Sequence, residues 1–154
     1  MKTSSTPGAV KKFRRTPWRF QQTFQTPVQD LPLFVETIVS TLEPVQQGVV
    51  TIDQVVFDAK SLVVLLTQHK ETATLTRDLS ITAESKQEVE QLLAVAFGSW
   101  IDFIFIPSPK PFVIYADHDE FTTFYANTKS NLNLVSATLL AKGFKQIQDY
   151  RRDP

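Results

Sequence analysis

Reactive side chains crowd together at one place in this chain: Asp117-His118-Asp119-Glu120, inside the stretch "YADHDEFTTFYAN". Carboxylates and an imidazole are the donor set for magnesium, manganese or zinc. The same groups could supply the acid and base of a hydrolytic reaction. Geometry limits both uses. On a strand, neighbouring side chains point to opposite faces, so only Asp117 with Asp119, or His118 with Glu120, would share a side. A tight turn could gather all four residues. It would then face water, without the outer shell of partners that tunes a catalytic metal. Asp is common in turns because its carboxylate satisfies local backbone N–H groups. The flanking runs "FVIYA" and "FTTFYA" are β-rich, so the cluster reads first as the polar tip of a hairpin. A metal-assisted hydrolase built on Asp117, His118, Asp119 and Glu120 is the alternative.

Elsewhere the chain is poor in chemistry. It has no cysteine, which excludes disulfides, thiolate metal sites and cysteine nucleophiles. Its four glycines are scattered, whereas a phosphate-cradling loop needs several within about eight residues. No G-x-S-x-G nucleophile elbow occurs. The second histidine, His69, is far away in sequence. No cofactor and no metal are expected, and a non-enzymatic role is favoured. The apolar runs are too short to span a bilayer, and the expectation is a protein of the cytoplasm.

Charge is unevenly placed. Residues 1–29 carry Lys2, Lys11, Lys12, Arg14, Arg15 and Arg19 and no acid, and the balancing excess of acids lies in the remainder. Residues 1–27, with Pro7, Gly8, Pro17 and Pro27 and no persistent period, read as an extended or disordered basic arm. Residues 28–154 read as a single domain. Lys11, Lys12, Arg14, Arg15, Trp18 and Arg19, with Phe13 and Phe20, could neutralise phosphates and stack on bases. The acidic body would repel phosphate, which disfavours nucleic acid and suits an arm that docks on its own body.

Periodicity supplies the elements. Leu31, Phe34, Val35, Ile38 and Leu42 follow a helical stripe after Pro27 or Asp30. Ile52, Val55, Val56, Ala59, Leu62, Val63 and Leu66 predict a second helix, with Thr51 or Asp53 as cap. Ser85-Lys86-Gln87-Glu88 is a capping box that opens a third helix over Val89, Leu92, Leu93 and Ala96. "WIDFIFI" is apolar on both faces apart from Asp102 and predicts a central strand covered on each side. "KSNLNLVSATLLAKGF" is a fourth helix ending at Gly143, and "FKQIQDY" a last strand. Gly48, Gly98 and Gly143 fall where helices are expected to stop. Helices and strands are largely segregated, which argues α+β: about four antiparallel strands packed with about four helices.

Aromatic residues concentrate in the strand region. If one face of the sheet lacks cover, Trp100, Phe121, Phe124 and Tyr125 would form a partner-binding surface. The C-terminal "DYRRDP" is either a solvated tail or a small basic-aromatic recognition patch.

"YADHDEFTTFYANTKSNLN" followed by "LLAKGFKQIQDYRR" resembles the C-terminal part of small, mostly uncharacterised cyanobacterial proteins. The likeness covers about residues 100–152, and its nearest functional label is a carboxysome assembly factor. That resemblance implies a cytoplasmic, non-enzymatic adaptor that binds the C-terminal peptide of a shell protein, and it assigns no role to any residue.

Overall fold

The computed structural model describes residues 1–152; Asp153 and Pro154, which end the body segment and the "DYRRDP" stretch, lie outside the described residues. In chain order the elements are β1 (Lys2–Ser5), α1 (Ala9–Arg15), β2 (Phe20–Gln25), α2 (Leu31–Ser40), β3 (Gln47–Gln54), α3 (Lys60–Gln68), β4 (Leu79–Ala83), α4 (Lys86–Gly98), β5 (Asp102–Ser108), β6 (Val113–Ala116), β7 (Phe121–Ala126), α5 (Lys129–Ala141) and β8 (Gln146–Ile147). The eight strands form one sheet in the order β1-β4-β3-β5-β6-β7-β2-β8, and every pairing is antiparallel. The mixed class agrees with the reading from sequence. The expected four strands and four helices are corrected to eight and five.

Three of the expected helices form, because their signals are local. α2 buries Phe34, Val35 and Ile38, and its Pro lies in the first turn at Pro32 rather than Pro27. In α4 the Ser85 side chain accepts from the Glu88 N–H, while Glu88 reaches back to the Glu84 N–H. α5 starts at Lys129, the first residue of the expected segment, with Thr128 in the N-cap position. The helix expected across 52–66 is divided. Its first part continues β3, since the "GVVTI" run is β-branched and pairs with β5. Only Leu62, Leu65 and Leu66 turn inward from α3.

The helix-covered face holds the main core. Phe24, Val50, Ile52, Ile81, Phe103, Phe105, Ile114 and Phe124 from the strands meet the inner faces of α2, α3, α4 and α5. The alternate residues of the central strands point the other way and are also apolar: Ile104, Val113, Tyr115 and Tyr125. They are covered by α1, through Val10 and Phe13, and by Trp18.

This overturns the extended or disordered arm. Within residues 1–27 lie an edge strand, a helix and a strand inserted between β7 and β8. α1 has only seven residues and no side-chain cap of its own, and so short a helix is not stable alone in water. Asp78 substitutes for the cap: its carboxylate accepts from the Gly8 and Val10 N–H groups at 2.9 Å each. Phe13 then packs on Tyr115 and Tyr125 with ring centroids 5.9 and 5.5 Å apart.

Glycine placement departs from expectation in one of the three cases, Gly48. Gly143 has φ +91 and ends α5, as expected. Gly98 is the last residue of α4, and the left-handed residue is Trp100 at φ 53. Gly48 lies within β3, where an added Cβ would stand 2.6 Å from the Phe105 ring. Phe105 is fully buried and has no open space to move into. Gly48→Ala should therefore cost about 1–3 kcal/mol of stability through overpacking. An unchanged urea midpoint would show that this approach of strand to ring is not required.

Candidate functional site

The acidic run occupies the β6–β7 turn. Asp117 N–H donates to the Phe121 carbonyl at 3.0 Å, and Glu120 takes the positive-φ position at φ 70. One Asp117 carboxylate oxygen accepts the Asp119 and Phe121 N–H groups, at 2.9 and 3.1 Å. The turn separates the four side chains. Asp117 is buried and turned to the α1-bearing face, while Asp119 is exposed. His118 pairs with Asp102 of β5, whose carboxylate oxygen lies 2.8 Å from both the His118 backbone nitrogen and its ring Nδ1. Among the described residues, no three His, Cys, Asp or Glu side chains are grouped to hold a metal ion.

The α1-bearing face carries a second, more buried set of charges. A register shift between Ile52 and Gln54 against β5 leaves Asp53 as an extra, bulged residue; bulges re-aim side chains in this way. Asp53 is 4% exposed, and an isolated buried carboxylate would be costly. Arg14 from α1 and Arg77 approach it at 2.9 and 3.0 Å, and the Tyr115 hydroxyl donates to it. Burial, together with the bond to Asp53, pushes the Tyr115 phenol far above its ordinary range. Arg14 thus locks α1 to β3 electrostatically where Phe13 locks it by packing. The Arg152 guanidinium lies over the Tyr115 ring and pairs with Asp117.

On the opposite side of α1 the same face is open. A groove of about 540 Å³ runs between α1 and the β1–β4–β3 side of the sheet. Its floor combines hydroxyl side chains toward β4, Thr51, Ser80 and Thr82, with apolar ones toward β5 and β6, Val49, Ile106 and Val113. Thr6, Ser80 and Thr51 form a hydroxyl chain at 3.0 and 2.8 Å. Lys12 and Lys110 stand at its rim, and no carboxylate or imidazole lines it. The buried Trp18 indole nitrogen, at the groove wall, has no hydrogen-bond partner among the described residues.

The aromatic surface expected from sequence is not exposed. Phe124 is buried in the main core and Tyr125 beneath α1. Phe121 is half-buried against Tyr150, with stacked rings 4.3 Å apart, and Trp100 is half-buried at the turn after α4. Of the basic arm, Lys11, Lys12, Arg14, Arg15 and Arg19 remain exposed, but Phe13 is buried and cannot serve as a base-stacking platform. Reasoning from sequence did not identify Asp53, Asp102, Tyr115 or the hydroxyls of the groove as site residues. The available signals were a lone acid inside each of two strand-like runs, "VVTIDQ" and "WIDFIFI", and hydroxyls at alternate positions in "LSITA".

No protein-family model, curated protein or solved structure matches this chain. Among the described residues, no helix is long and apolar enough to cross a membrane.

The His118–Asp102 pair yields a pH test. The hydrogen bond to Asp102 holds the imidazole above its ordinary value of 6.5. A raised folded-state pKa adds stability that is complete below the unfolded value and vanishes as pH rises through the folded value. His118→Gln should therefore lose stability relative to the parent at about pH 5.5 and lose little at about pH 9. By NMR the imidazole should titrate above 6.5, and Asp102→Asn should lower that midpoint. A midpoint at or below the ordinary value would contradict the pairing.

Proposed function

We propose that this protein is a non-enzymatic binding adaptor or assembly factor, acting in the cytoplasm, whose groove beside α1 receives an extended acidic segment of another protein. The groove itself carries the proposal. It is the open part of a sheet face otherwise covered by α1 and the C-terminal tail, and its volume falls in the range of about 300–1,000 Å³ common for ligand sites. Hydroxyl side chains along one side of the floor and apolar ones along the other suit a peptide backbone with small side chains. Lys12 and Lys110 at the rim, with Lys11 and Arg15 exposed nearby, favour a negatively charged occupant. The Trp18 indole N–H offers an unused donor.

An adaptor fits this lining better than a hydrolase does. The groove hydroxyls have no imidazole or carboxylate beside them to act as a base. The Asp117–Glu120 turn, the alternative site, diverges rather than converging on one point. A shell-protein tail, the partner implied by the resemblance, would qualify if it is extended and acidic.

Selection from a random peptide library should return acidic, extended sequences. Binding should perturb the NMR signals of Thr51, Ser80, Thr82 and the Trp18 indole. It should weaken at least tenfold in Lys12→Glu/Lys110→Glu and fall with added salt. Selected peptides that are basic, or that perturb signals away from the groove, would overturn the proposal, as would the absence of any selected binder.

A further inference from the structure

The C-terminal tail is held in an unusual way. After β8 the chain from Gln148 to Arg152 makes no strand pairing and lies on the α1-bearing face through side-chain recognition. Tyr150 stacks on Phe121 at 4.3 Å with rings 9° from parallel. The Arg152 guanidinium carbon sits 4.5 Å from the centre of the Tyr115 ring, and its Nη2 donates to Asp117. The main chain of the same residue is also read. Gln21 accepts from the Arg152 N–H at 2.9 Å and donates to its carbonyl at 3.1 Å, and the Tyr125 hydroxyl donates to that carbonyl at 3.3 Å.

Apart from Asp117 in the β6–β7 turn, every group that makes these contacts belongs to the sheet. Asp117 and Tyr115 are 7% and 5% exposed. Asp102 and Asp53 add negative potential around the guanidinium. A buried carboxylate aimed at a planar cation over an aromatic ring is the arrangement that distinguishes arginine from lysine. A bidentate amide clamp on the backbone N–H and C=O of one residue is a means by which a protein seats an extended segment. None of these contacts requires the bound segment to be covalently joined to β8.

We propose that this is a receptor site for an aromatic-x-arginine segment, which the chain's own Tyr150–Arg152 occupies and which a partner segment of the same pattern enters in its place. The site lies apart from the groove beside α1 and does not depend on the groove's function. The tail then sets a threshold. A partner must outcompete a tethered ligand whose effective concentration is high, so only a segment with further contacts, or present in several copies, displaces it.

The test uses full-length protein and the peptide acetyl-Asp-Tyr-Arg-Arg-amide, followed by the NMR signals of Asp117, Phe121 and the Gln21 side-chain amide. Arg152→Ala vacates the guanidinium position and should bind the peptide at least tenfold more tightly than the parent chain. In the Arg152→Ala background, Asp117→Asn should weaken binding at least tenfold. That change keeps the carbonyl oxygen that organises the β6–β7 turn. Gln21→Ala, which leaves the turn untouched, should also weaken it. A peptide ending in Lys should bind several-fold less well than the Arg peptide. Equal affinity for parent and Arg152→Ala, equal binding of the Lys peptide, or no binding to Arg152→Ala would each overturn the proposal. Concentration-dependent dimerisation of the parent chain through exchanged tails would overturn it in favour of a second copy as the occupant.

Discussion

A sheet whose central strands are apolar on both faces must be covered on both faces. β5, β6 and β7 carry Phe103, Phe105, Ile114 and Phe124 toward the helices, and Ile104, Val113, Tyr115 and Tyr125 away from them. Burying each of these side chains contributes about 1.5–3 kcal/mol, and leaving one set in water would forfeit that gain. α2 to α5 all lie on one side, so the second face depends on the N-terminal segment. β1 lies at one edge of the sheet and β2 next to the opposite edge. The chain between them must therefore cross the second face, and α1 makes that crossing.

The location of the groove and the tail site follows from that crossing. α1 is short and anchors at three points: Asp78 on its first N–H groups, Phe13 on the tyrosines, and Arg14 on the bulged Asp53. The basic arm is thus docked on the acidic body. Arg14 has a buried acidic partner, while Lys11, Lys12 and Arg15 stay exposed and Lys12 stands at the groove's rim. A helix of seven residues cannot cover an eight-stranded face. On one side of it the C-terminal tail fills the remaining space, and on the other the groove is open.

The legible parts of the fold were those with local signals. α2, α4 and α5 have apolar stripes and capping residues within a few positions of each other, and the β6–β7 hairpin has β-rich arms around an Asp-containing turn. The end of β3, from Ile52, was read as the start of a helix because Ile52, Val55, Val56 and Ala59 happen to continue the true spacing of Leu62, Leu65 and Leu66. The strand count fell short partly because β1 and β2 are rich in Ser, Thr and Gln and gain their stability from pairing. The arm read as extended or disordered because its order comes from distant partners, Asp78 and Tyr125 among them. For the site, the acidic cluster was legible as a turn. Asp53 was read, with Thr51, as one of two candidate helix caps, which hid the buried ion pair that joins α1 to the sheet. An acid isolated in an apolar strand needs a cation nearby, and "KKFRRTPW" was the available supply.

The dependence of the second face on the N-terminal segment is tested most directly by amide hydrogen exchange in the intact chain. The β2 amides, Thr23 and Phe24 included, should exchange as slowly as those of β7, and α1 should be protected. Exchange of residues 1–27 at the rates of a free peptide, with the rest of the sheet and α2 to α5 still protected, would contradict it.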